Sequence, residues 1–178
     1  VLGLTLVLAL VMPAWSADIY VDSDAPGSRN GSSWLNAFNH LQDGLVVAQP
    51  GDVIKVAQGV YTPDQGTVSG EGGRFASFTL KPGVKLMGGF AGYSVLPTWQ
   101  WDDRNPQLYV SVLSGDLNGN DSLLDPNDHD AILRLLSAPS RADNSYNVVT
   151  LSNTSPDTLL DGFTITGGFT DFGGAVYC

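Results

Sequence analysis

The chain has 178 residues and a formal net charge of −10, with 18 acidic side chains against 8 basic ones. That balance excludes nucleic acid as the natural partner, since a phosphate backbone needs basic neutralisation, and it gives no unaided hold on anionic lipid. Only 15% of residues are charged, 21 are Gly, and Cys178 is the single cysteine, so no disulfide closes within the chain and β structure with many tight turns is expected.

Residues 1–11 are apolar apart from Gly and Thr, and Ala14-Trp15-Ser16 obeys the small-x-small rule. The pattern predicts a signal peptide over residues 1–16, truncated at its start and cut after Ser16. A membrane anchor is the weaker reading, because the run falls short of the roughly 20 residues that span a bilayer. Residues 17–178 are then the exported part, the start of one domain that is incomplete at its C-terminal end.

Residues 18–22 alternate polar and apolar as a short strand does. The loop over 23–33 ends in Ser32 and Ser33, both good N-cap residues. A helix is predicted over 34–48, because Trp34, Phe38, Leu41 and Leu45 fall on one apolar stripe at helical period. Pro50 and Gly51 stop it, and Gly44 weakens it.

From Asp52 the period changes to two. Strands are predicted over 52–57, 60–61, 75–80, 84–87, 109–113, 147–151 and 159–166, the last broken at Asp161-Gly162. The apolar stretch 131–136 reads as a helical turn or a strand. No hairpin dipeptide sits in a two-residue loop, which disfavours an antiparallel meander. A coiled parallel sheet fits better, with each strand paired to the one a turn below and glycine at the corners. The helix would cap the open edge of the first coil.

The motifs Ile19-Tyr20-Val21-Asp22, Gly31-Ser32-Ser33-Trp34, Pro50-Gly51-Asp52, Gln58-Gly59-Val60-Tyr61, Leu113-Ser114-Gly115-Asp116 and Leu160-Asp161-Gly162-Phe163-Thr164-Ile165 occur in that order. In this the chain resembles the N-terminal segment of secreted bacterial right-handed parallel β-helix proteins of the pectin-lyase-like class. Its ending, Gly-Gly-Ala-Val-Tyr, resembles the short repeat of polymorphic outer-membrane proteins. The resemblance implies an all-β solenoid with one N-terminal capping helix, in which Val53, Val56, Leu86, Phe163 and Ile165 point inward. It also implies a secreted or cell-surface location. The fold hosts many tasks. The expected one is structural or binding, toward extracellular polysaccharide or cell-surface components. The alternative is a polysaccharide lyase or glycoside hydrolase.

The sharpest candidate for chemistry is the acidic loop. Asp116, Asn118 and Asn120 bear oxygens at alternate positions, with Asp121 and Asp125 following, and such spacing can wrap Ca²⁺. It is not an EF-hand, because Asp121 stands where that loop needs Gly and Asn127 where it needs a bidentate Glu. The competing reading is a solvated loop whose Asn and Gly make turns. Ca²⁺ is the only cofactor suggested. His129 lies in the same loop, and His40 reads as a surface residue.

Lyases of this fold remove a proton with Arg or Lys beside acidic Ca²⁺ ligands. Arg104, Arg134 and Arg141 sit in no matching motif, and neither Asp102-Asp103 nor Asp128 with Asp130 can be assigned as an acid–base pair. Tyr93, Trp99 and Trp101 could stack on sugar rings or pack their own loop down.

Overall fold

The computed structural model describes residues 16–66, 73–95, 98–121, 130, 138–169 and 174–178. The expected signal peptide, apart from Ser16, and the stretch 131–136 lie outside them.

Period-two segments rich in Val, Ile and Leu become short strands because their alternate side chains share one apolar face. In chain order these are β1 (Asp18–Val21), β2 (Val53–Ala57), β3 (Gly59–Tyr61), β4 (Phe78–Leu80), β5 (Lys85–Phe90), β6 (Ser111–Ser114), β7 (Val149–Leu151), β8 (Leu159–Asp161), β9 (Phe163–Thr166) and β10 (Val176–Tyr177). They form three sheets, ordered β1-β2-β5-β8, β3-β6-β9 and β4-β7-β10, and every strand pairing is parallel. From β2 onward the chain visits the first, second and third sheet in turn, three times over.

Register puts like residues in rows. Ile19, Ile54, Leu86 and Leu160 align across the first sheet. Tyr61, Leu113 and Ile165 align across the second, and Phe78 faces Val149 in the third. All of them belong to, or pack against, one apolar core shared by the three sheets. Val56 and Leu86 are buried there as expected, with Phe163 and Ile165 partly buried beside them. Val53 is a correction. Ile54 and Val56 hold the buried positions of β2, so a period of two turns Val53 to the other face, where it is half-buried.

The helix is a second correction. Among the described residues α1 covers only Leu41–Val47, His40 is its N-cap in place of Ser32 or Ser33, and residues 34–40 are irregular. Phe38 instead bridges Val21 as an extra pairing beside β1. Leu41, Leu45 and Ala48 do enter the core, and α1 rests on β1, β2 and β4. Gly44 has its reason here: a Cβ would stand 3.0 Å from Val21 Cγ2, so its absence lets the helix settle onto β1. Lys81 closes the far end, donating from Nζ to the carbonyls of Val46 at 2.7 Å and Ala48 at 3.1 Å.

Corners between sheets are tight where one residue makes the bend, as Gln58 does between β2 and β3 and Gly162 between β8 and β9. Gly162 has a φ of +80°, and a Cβ there would lie 2.6 Å from the Gly88 carbonyl oxygen. Other corners open into excursions. Residues 91–110 join β5 to β6, and residues 115–148 join β6 to β7.

Candidate functional site

The first sheet has a second face, away from the core. Register places Tyr20, Lys55, Met87 and Asp161 in one row across it. Residues 91–95 and 98–110 fold back over the end of this face. Ala91 and Gly92 donate to the carbonyls of Asp103 and Trp101, Asn105 donates to Gly89, and Phe90 bridges Arg104 in antiparallel fashion. The loop after β1 brings Trp34 to the same place. Trp34, Ala57 and Phe90 make a small outer cluster with Tyr20, Met87 and Trp101 against it. Tyr20 meets the Trp34 ring edge-on at 4.9 Å, and Trp34 meets Phe90 at 5.6 Å.

Two cations stand on this aromatic floor, both held by carboxylates. Lys55 Nζ lies 3.0 Å from Asp18 Oδ2 and 3.1 Å from Asp102 Oδ1, above the rings of Tyr20 and Phe90. Burial pulls the Lys55 ammonium down, but its hydrogen bonds to the two carboxylates outweigh this and hold it above the ordinary lysine value. Arg104 pairs with Asp161, donates from Nε to the Gly88 carbonyl at 2.9 Å, and lies 5.7 Å from the centre of the Phe90 ring. Asp102 also accepts the Trp34 indole N–H at 3.3 Å. Asp102 is therefore structural cement here, and Asp103 contributes a backbone carbonyl.

Tyr93 and Trp101 pack against each other at 4.9 Å, and Trp101 donates to the Val95 carbonyl at 2.7 Å. They hold the excursion down. Trp99, on the 3-10 turn Thr98–Gln100, stays 73% exposed.

Asp22 ties this excursion to the sheet. It is buried, its Oδ2 accepts the Tyr93 N–H at 2.6 Å, and its Oδ1 accepts the Asp24 N–H at 2.9 Å. Burial pushes its carboxyl above the ordinary value of 3.8, against those two donors. A raised value means that the folded state favours the protonated form. The stability it contributes is complete below the ordinary value and is lost as pH rises through the raised one. Asp22→Ala is expected to lower stability by about 1–3 kcal/mol, because two backbone donors lose their acceptor. It should also flatten the fall in thermal midpoint across that acidic window. A variant that keeps the parent's midpoint and slope would sink this assignment.

The acidic loop is organised differently from the expected wrap. Asp116 turns both carboxylate oxygens onto its own loop, accepting the Asn120 N–H at 3.1 Å and the Asp121 N–H at 2.9 Å. Asn118 is exposed. Asn120 and Asp121 turn toward residues 143–144: Asn120 Nδ2 donates to Asp143 Oδ2 at 3.2 Å, and Asn144 Nδ2 donates to Asp121 Oδ2 at 2.7 Å. So the structure joins Asp116, Asn120 and Asp121 but leaves Asn118 apart. Asp125, Asp128, His129 and Arg134 lie outside the described residues. Asp143 and Asn144 carry no such signal, since they stand more than twenty residues beyond Asn120 and Asp121, in a stretch that reads as an approach to β7. Among the described residues no group of three His, Cys, Asp or Glu side chains is spaced to hold a metal; this group joins carboxylates with amides. His40 makes no side-chain cap bond to α1. Arg141 stacks on Phe169 at 4.4 Å and donates to the Gly168 carbonyl.

Compared with known proteins, the chain matches no family model, no curated protein and no solved structure. The findings carry a β-rich fold of parallel sheets with one short helix among the described residues, none of whose helices is long and apolar enough to cross a membrane.

Proposed function

We propose that the chain is part of a secreted or cell-surface right-handed parallel β-helix protein, pectin-lyase-like in fold, whose task is to bind extracellular carbohydrate rather than to cleave it. The solenoid reading is supported by the repeated visit to three parallel sheets around a shared core, with α1 against β1 and β4. The observation that carries the binding role is the outer face of the first sheet. The excursion folded onto it presents the exposed Trp99 indole, the rings of Trp34 and Phe90 are buried beneath, and Lys55 and Arg104 are already neutralised by Asp18, Asp102 and Asp161. A lyase would need such a side chain neutral to take a proton, and pairing with carboxylates holds both in the charged form. A net charge of −10 also repels uronic-acid polymers, so the favoured ligand is a neutral polysaccharide.

Affinity electrophoresis in gels containing neutral or uronic polysaccharides tests this. A neutral polymer is expected to retard the protein, and Trp99→Ala to weaken that binding about tenfold, as loss of a contact tryptophan does. Unsaturated uronate released from pectin or alginate, and lost in Arg104→Ala or Arg141→Ala, would establish the lyase alternative instead. Retardation that Trp99→Ala leaves intact would move the ligand away from this face.

A further inference from the structure

We propose that Asp121, Asp143 and Asn144 form a Ca²⁺ site that fastens the acidic loop to the turn before β7. Asn144 is wholly buried, aims its carboxamide at Asp121, and has no partner for its Oδ1. Asp121 Oδ1 and Asp143 Oδ1 are also buried and without a partner. All three atoms are oxygen acceptors. Buried acceptors that receive no hydrogen bond are costly, and carboxylate oxygens most of all. Two hydrogen bonds tie the residues that carry them together, Asn144 Nδ2 onto Asp121 Oδ2 and Asn120 Nδ2 onto Asp143 Oδ2. Each amide holds one oxygen of a carboxylate and leaves the other without a partner, as the hydrogen-bonded carboxylate ligands of a metal commonly are.

The charges around the group are compatible with a cation. Arg141 donates to the Gly168 carbonyl and stacks on Phe169, although its Nε is buried without a partner. Arg74 donates to the carbonyls of Asn144 and Phe169. Among the described residues neither guanidinium forms an ion pair with Asp121 or Asp143. Two carboxylates and an amide oxygen make a hard, all-oxygen set, which suits Ca²⁺. Such a site, completed by backbone carbonyls or water to the usual 6–8 oxygens, holds Ca²⁺ at extracellular concentrations.

The test is calorimetric titration of the full chain with CaCl₂, alongside Tb³⁺ luminescence lifetimes in H₂O and D₂O, which count coordinated waters. One saturable Ca²⁺ event in the sub-millimolar to millimolar range is expected, with Tb³⁺ keeping no more than about half of the waters of the free ion. Asp143→Asn should weaken Ca²⁺ binding at least tenfold, and Asn118→Ala should leave it within twofold of the parent. Four outcomes would overturn the proposal. They are a parent that binds nothing at millimolar Ca²⁺, leaving water as the partner of the orphan oxygens; an Asp143→Asn variant that binds as the parent does; loss of binding in Asn118→Ala, placing the ion in the exposed loop; and Tb³⁺ that keeps nearly all its waters. The lifetime measurement on the parent decides the matter even if Asp143→Asn does not fold.

Discussion

Phe78→Ala is expected to destabilise the fold by roughly 3–5 kcal/mol, the range for removing a fully buried aromatic side chain. Phe78 has no solvent exposure, sits opposite Val149, and is among the largest side chains enclosed by the shared core. Its neighbours come from sheets held in place by their own backbone ladders, so they have little freedom to collapse into the space left behind. Part of the loss is thus the cavity itself. Denaturant unfolding reads the effect as a shift in midpoint at constant slope. A loss below about 1 kcal/mol would mean that the core around β4 is far looser than its burial implies. Phe75→Ala, at an aromatic that is 66% exposed, is the matched comparison.

Gly162→Ala should cost about as much, roughly 3–5 kcal/mol, for a different reason. A side chain at φ +80° is strained whatever surrounds it, and a Cβ there would stand 2.6 Å from both the Gly88 carbonyl oxygen and Arg104. Arg104 can move, but the carbonyl belongs to β5 and cannot yield without shifting the first sheet. Gly119→Ala separates the two contributions. Its φ is +64°, yet a Cβ would meet nothing within 4 Å, so about 1 kcal/mol of backbone strain is all it should show. Equal losses at the two positions would mean that the approach of Gly162 to Gly88 is looser than its geometry implies.

These two positions also show which parts of the molecule its sequence discloses. The strands are readable because each sheet turns alternate side chains into the shared core, and Asp161-Gly162 marks a corner that a side chain would block. The helix was overextended because burial at helical spacing has two possible sources. Leu41 and Leu45 enter the core, whereas Trp34 packs on the outer face of the first sheet and Phe38 pairs beside β1. A stripe of four apolar residues looks the same whether one surface or two receive it.

The outer aromatic floor is only half visible in the sequence: Tyr93 and Trp101 stand out, Trp34 reads as part of the helix stripe, and nothing local marks Phe90 as their neighbour. In the acidic loop, local spacing pointed to Asp116 and Asn118. Asp116 spends its oxygens on its own backbone, and the groups that turn inward meet Asp143 and Asn144 from a distant stretch. No local pattern encodes that meeting.

The unequal corners have a consequence for how such a chain can change. One residue bends the chain between β8 and β9, and twenty (91–110) do so between β5 and β6, yet β6 and β9 still pair in continuous register from Ser111 with Phe163 to Ser114 with Thr166. Lengthening a loop costs only about 0.6 kcal/mol per doubling, so the longer corner carries a penalty of roughly 2.5–3 kcal/mol. Anchors such as Asp22 to Tyr93 can offset a penalty of that size. Scaffold and decoration are therefore nearly independent. Mutation can lengthen, shorten or exchange the segment that meets the outside world while the ladder beneath keeps its register, leaving new binding surfaces open to selection without a new fold.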